Sequence, residues 1–168
     1  MAAACVAGYV RGMSHRIFAF TIAAAVTAAS PAAAQDEDVP YWASIRSSEV
    51  NMRVGPAESY RIDWVYKRPG LPVKVVRRQE GWRLIEDPDG TKGWVLGRFL
   101  SRDRTAIVMG NGNAEMRAEA GESAPLRWHV EPGASGKLGD CDEGWCELDI
   151  TGHKGFVREE RLWGVDEL

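Results

Sequence analysis

Few side chains in this 168-residue chain are placed to do chemistry. Cys141 and Cys146, with His129 and His153 not far away, offer four ligands for zinc, or a thiolate with an imidazole base. A C-x4-C spacing without a second close pair is poor for a zinc site, and a nucleophile needs a free, activated thiolate. Cys5 lies in a segment expected to be removed, so an even pair remains, and in an exported protein such a pair is normally oxidised. A Cys141–Cys146 disulfide is therefore expected, closing a short acidic turn and contributing at most about 2 kcal/mol. Glu86, Asp87 and Asp89 are close in sequence, but Asp87-Pro88-Asp89-Gly90 reads as a solvated tight turn rather than an acid–base pair or calcium loop. Gly110-Asn111-Gly112-Asn113 is followed by neither a lysine nor a helix, and there is no G-x-S-x-G, H-E-x-x-H or P-loop motif. No catalytic residue, metal or cofactor is expected.

The remaining candidate chemistry is recognition. Tyr60-Arg61-Ile62-Asp63-Trp64-Val65-Tyr66-Lys67-Arg68 interleaves cations with rings, a pattern able to stack on and neutralise a polymer. The amino-terminal 34 residues bear on which polymer. They hold no acidic residue, carry Arg11 and Arg16, run apolar from Ile17 through Ala29 and end in Ala32-Ala33-Ala34. That is the plan of a secretory signal peptide, with cleavage expected between Ala34 and Gln35 and translation starting at Met1 or Met13. The apolar run is Ala-rich and broken by Pro31, and barely reaches the roughly 18–20 residues of a membrane span. A periplasmic or secreted location, with no membrane segment after removal of the leader, argues against nucleic acid as the partner.

The chain repeats itself. Val50-Asn51-Met52-Arg53 with Glu58-Ser59 returns as Ala114-Glu115-Met116-Arg117 with Glu122-Ser123, and Trp64-Val65-Tyr66 as Trp128-His129-Val130. Gly81-Trp82 returns as Gly144-Trp145, and Lys92-Gly93-Trp94-Val95 as Lys154-Gly155-Phe156-Val157. Offsets of 62 to 64 in a constant order mark a duplication. The charge divides with it: residues 45–105 carry 13 basic and 8 acidic side chains, net +5, and residues 106–168 carry 6 and 13, net -7.

Each copy reads as short strands. Residues 71–77 alternate β-branched with polar positions, and polar turns separate them from Gly81-Trp82-Arg83-Leu84-Ile85-Glu86 and Thr91-Lys92-Gly93-Trp94-Val95-Leu96. No stretch sustains a 3.6-residue apolar period. The fold class is all-β: a signal peptide (1–34) followed by two small barrels, 41–104 and 105–168. Gly93 and Gly155, each before an aromatic within a strand, point to a close backbone approach.

Asn51-Met52-Arg53-Val54-Gly55-Pro56, followed by Gly81-Trp82, Gly93-Trp94-Val95 and Leu100, resembles the bacterial SH3-like (Src-homology-3, SH3b) domain family, in its exported tandem form. The second copy is degenerate: it lacks the Gly-Pro, and Pro132-Gly133-Ala134-Ser135-Gly136 stands where residues 71–76 form the apolar strand. The resemblance implies a five-stranded, partly open barrel per copy and a non-catalytic binding role. The implied partners are cell-wall peptidoglycan (peptide or glycan) or, alternatively, envelope proteins for which the chain is an adaptor. It also places residues 60–68 on the loop lining the ligand groove. Arg53, Tyr60, Arg61, Trp64, Tyr66 and Arg68 are accordingly the candidate ligand-binding residues, with Arg77 and Arg78 adding to an attraction for acidic groups. For Trp64, whose counterpart Trp128 recurs, core packing is the expected role and stacking the alternative, as Trp82, Trp94 and Trp145 are expected to fill or rim the cores. Oligomeric state is left open.

Overall fold

The computed structural model describes residues 39–168; the expected leader and its cleavage point lie outside the described residues. The first copy consists of β1 (Tyr41–Ile45), β2 (Val50–Arg53), β3 (Ile62–Tyr66), β4 (Pro72–Gln79), β5 (Trp82–Glu86), β6 (Lys92–Leu96) and β7 (Leu100–Ser101). The second consists of β8 (Thr105–Val108), β9 (Ala114–Arg117), β10 (Leu126–Val130), β11 (Ser135–Asp142), β12 (Trp145–Ile150), β13 (His153–Arg158) and β14 (Leu162–Trp163). One antiparallel sheet runs β3-β2-β6-β5-β4-β1-β7 and the other β10-β9-β13-β12-β11-β8-β14, the same order in both copies. Seven hydrogen-bonded segments thus replace the five expected, because β1 and the two-residue β7 add a rung to one side of the curled sheet. β3 and β10 remain edge strands, so each barrel is partly open.

Inward alternation explains the cores. Val50 and Met52 on β2, Val73 and Val75 on β4, Ile85 on β5 and Val95 on β6 are all buried in one cluster, and Ala114, Met116, Leu138, Leu148 and Val157 repeat it. Both clusters are aliphatic at their centres. Trp82, Trp94 and Trp145 are buried outside them, so the tryptophans do not make the central cores. A methionine fills each centre against a glycine: a Cβ on Gly93 would run into the Met52 side chain, and one on Gly155 would meet Met116 Cγ at 2.5 Å and the Arg117 carbonyl oxygen at 2.6 Å. The close approach read from the sequence is therefore present in both copies.

The degenerate second copy keeps its long strand. β11 spans eight residues like β4, contrary to the weakened segment expected there, because Pro132 and Gly133 form the turn before it rather than part of it. Gly136 then permits β12 to come near, since a Cβ would lie 2.5 Å from the Asp149 carbonyl oxygen. Cys141 and Cys146 face each other across β11 and β12, with Asp142 opposite Trp145 and Glu143-Gly144 turning with positive φ at both residues. They form the disulfide, with Cα atoms 4.0 Å apart, closer than the expected separation of about 5.5 Å. Titration of denatured, unreduced protein is expected to find no reactive thiol at 141 or 146; two would contradict the pairing.

Both copies lie in one unit, 35–168. Trp42 and Trp163 meet edge to face with ring centres 4.7 Å apart, and Trp42 Nε1 donates to the Asp166 carbonyl oxygen at 2.7 Å. Arg68 donates to the Gly133 carbonyl oxygen at 2.8 Å. Gly164 sits at the same junction, where a Cβ would lie 3.1 Å from Pro72.

Candidate functional site

The Asn-x-Arg motif is a loop clamp. Arg53 donates to the Tyr60 carbonyl oxygen at 2.6 Å while the Val54 amide donates to Arg61 O at 3.1 Å, closing the loop between β2 and β3. The Tyr60 ring lies on Gly55, where a Cβ would be 2.6 Å away, which explains the glycine of the motif. Arg117 repeats the clamp on the Ala124 carbonyl oxygen at 2.7 Å. Arg53 is thus engaged with the chain's own backbone. Arg53→Ala is expected to cost about 1 kcal/mol and to speed amide exchange across residues 54–61, as measured by urea denaturation and hydrogen exchange.

The predicted stacking platform of Tyr60, Trp64 and Tyr66 does not form. Trp64 and Tyr66, opposite Met52 and Val50, share the inward face of β3, and that face passes from solvent into the core along the strand, Trp64 exposed and Tyr66 buried; a register shift next to Met52 sets the exposed Ile62 opposite Arg53. The Tyr66 hydroxyl donates to Asp87 Oδ2 at 3.0 Å, and Asp87 Oδ1 accepts the amides of Asp89 and Thr91 at 3.1 and 2.9 Å. Burial, then the charge of Asp87, pushes the Tyr66 phenol well above the usual tyrosine range. In the second copy the positions of Tyr66 and Asp87 hold Val130 and Ile150. The second barrel forms without this polar pair.

Trp64 is the most exposed large apolar side chain of the described residues, at 61%, which corrects its expected place in the core. It overlooks a groove of about 740 Å³ between the copies. Trp64, Leu71 and Pro88 line it from the first copy, Met109 and Pro132 from the second, and Asp63, Asp87 and Asp89 supply its charges. Among the described residues no lysine or arginine lines it. Arg61 pairs with Asp63 at 2.8 Å and Arg68 is held by Gly133, so the expected basic surface does not form there: the +5 of the copy lies elsewhere and the groove itself is acidic. Tyr60, 48% exposed, stands on the clamped loop rather than in the groove lining.

The duplicate of this face is more covered. Trp128 on β10 is 37% exposed, with His153 packed edge-on at 5.2 Å and Arg127 stacked on it at 5.9 Å. Among the described residues no group of three or more His, Cys, Asp and Glu side chains is placed to hold a metal ion.

The sequence profile described as the bacterial SH3 domain matches residues 46–101 and again 110–164. The chain belongs to the bacterial SH3 domain family. This SH3 protein is 28% identical over 151 residues to YrvJ of Bacillus subtilis (strain 168), a protein named for a proposed N-acetylmuramoyl-L-alanine amidase activity. The match covers 84% of this chain but only 28% of that protein's length. Among solved structures, NlpC2 from Trichomonas vaginalis aligns over 74% of this chain and 48% of its own, with 12% identity and a TM-score of 0.34. An NlpC/P60 family protein from Bacillus cereus ATCC 10987 aligns over 73% and 56%, with 13% identity and a TM-score of 0.32. In this SH3 protein the groove-lining residues that the sequence did not bring together are Asp87 and Asp89, with Met109 and Pro132 across the junction. Aligning the copies offers one signal for them: Asp87-Pro88-Asp89 has no acidic equivalent in Ile150-Thr151-Gly152.

Proposed function

We propose that this SH3 protein is an exported, non-catalytic module that binds a peptide or glycan of the cell wall through the groove of its first copy. The observation that carries the reading is Trp64, a large ring held in water at the mouth of a groove where burial would otherwise stabilise it by about 2 kcal/mol. Two further points support it. The relative YrvJ is named for a proposed N-acetylmuramoyl-L-alanine amidase activity, and Cys141 and Cys146 are joined in a disulfide, which withholds the thiolate that a nucleophile at either position requires. Export rests on the leader of residues 1–34 and its cleavage after Ala34.

A second reading, an envelope adaptor, is favoured by Ile62 and Leu126, exposed on the edge strands β3 and β10, where a protein partner could add a strand. Co-sedimentation with purified sacculi separates the two. Protein in the pellet supports wall binding. Protein left in solution, together with envelope partners that co-purify after wall digestion, supports the adaptor.

A further inference from the structure

The charge of the groove is opposite to that of the copy that builds most of it. Asp87 is buried with both carboxylate oxygens occupied, by two backbone amides and the Tyr66 hydroxyl, so its charge is held in place without a cation. Asp89 is exposed beside it, whereas Asp63, which lines the same space, is paired with Arg61. The second copy has Ile150 and Val130 at the positions of Asp87 and Tyr66, which shows that an apolar pair satisfies the same barrel. A buried carboxylate beside a groove, at a position where the second copy has isoleucine, places a negative potential there. The face of the Trp64 ring is also negative and attracts cations. Both elements favour a cation and repel a carboxylate. Most of the remaining lining is apolar, including Leu71, Pro88, Met109 and Pro132, which suits a peptide chain better than a sugar ring rich in hydroxyls.

We infer that the groove binds a peptide segment carrying a primary amine, the ammonium group lying between the Trp64 ring and the Asp87–Asp89 carboxylates. This rests on the wall-binding reading and narrows its ligand. It also assigns the two copies different tasks. The first presents an open acidic groove, and the second, with His153 and Arg127 against Trp128, supplies a wall of the groove.

The test is an NMR titration of the purified protein with a capped Ala-Lys-Ala peptide, the same peptide acetylated on its side-chain amine, a capped Ala-Glu-Ala peptide, and glucosamine. The lysine peptide is expected to move the Trp64 indole resonance and to bind about fivefold more tightly than its acetylated form. Asp89→Asn is expected to weaken the lysine peptide about threefold and leave the acetylated one unchanged. Raising salt to about 0.5 M is expected to act in the same direction. Equal binding of the acetylated peptide, preference for the glutamate peptide, stronger binding of glucosamine, or no response at Trp64 overturns the assignment. Sacculus binding that depends on Trp64 while the lysine peptide gives no response removes this inference alone. A lysine-peptide response without sacculus binding removes only the wall as its source.

Discussion

Trp64→Ala is expected to lower affinity for wall sacculi by about 30-fold, or ~2 kcal/mol, the loss typical of a central tryptophan at a binding surface. Its melting temperature is expected to stay within a degree or two of the parent, because the ring is 61% exposed and its removal opens little of the core. Trp128→Ala is the informative comparison. Its ring is less exposed and already packs on His153, so its loss of affinity is expected to remain within about threefold. Binding isotherms by co-sedimentation, with thermal melts of the same preparations, check both. An equal loss from the two variants would place recognition on the duplicated edge strands rather than in the groove.

The largest effect on stability is expected at Gly155. A valine there would put its Cβ 2.6 Å from the Arg117 carbonyl oxygen and against Met116, which is 1% exposed. The backbone of β9 cannot retreat without breaking its pairing with β13 and β10. Gly155→Val is expected to cost about 3 kcal/mol or more and to unfold the second copy at lower urea than the first. Gly81→Ala serves as the control: nothing lies within 4 Å of its Cβ position, and a change below about 0.5 kcal/mol is expected. Urea denaturation curves of the three proteins measure the difference.

The architecture was legible because a duplicated β-sheet leaves matched marks on the chain. The Met-x-strand and Lys-Gly-aromatic segments recur at constant spacing, and Gly93 and Gly155 announced a close approach that Met52 and Met116 then explain. The role of the arginine in the motif was not legible, since its partner is a backbone carbonyl, which has no sequence identity. The places of Trp64 and Tyr66 were hidden for a different reason. They lie two apart on one strand face, and alternation tells which side of a strand a residue occupies but not where along it the barrel opens. The groove escaped for a third reason. Its lining comes from β3, the turn after β5 and the Pro132-Gly133 turn of the other copy, so its acidity is local and runs against the charge of the surrounding sequence.

On the proposed reading, ligand enters the groove of the first copy at Trp64. All seven tryptophans lie among the described residues, and each carries an indole N–H whose resonance reports its own surroundings. The most direct measurement is an indole spectrum of the protein titrated with soluble fragments of digested sacculi. The Trp64 resonance is expected to move while those of Trp82, Trp94, Trp128 and Trp145 hold still. Movement centred on Trp128, or none at Trp64 at saturating fragment, would contradict it.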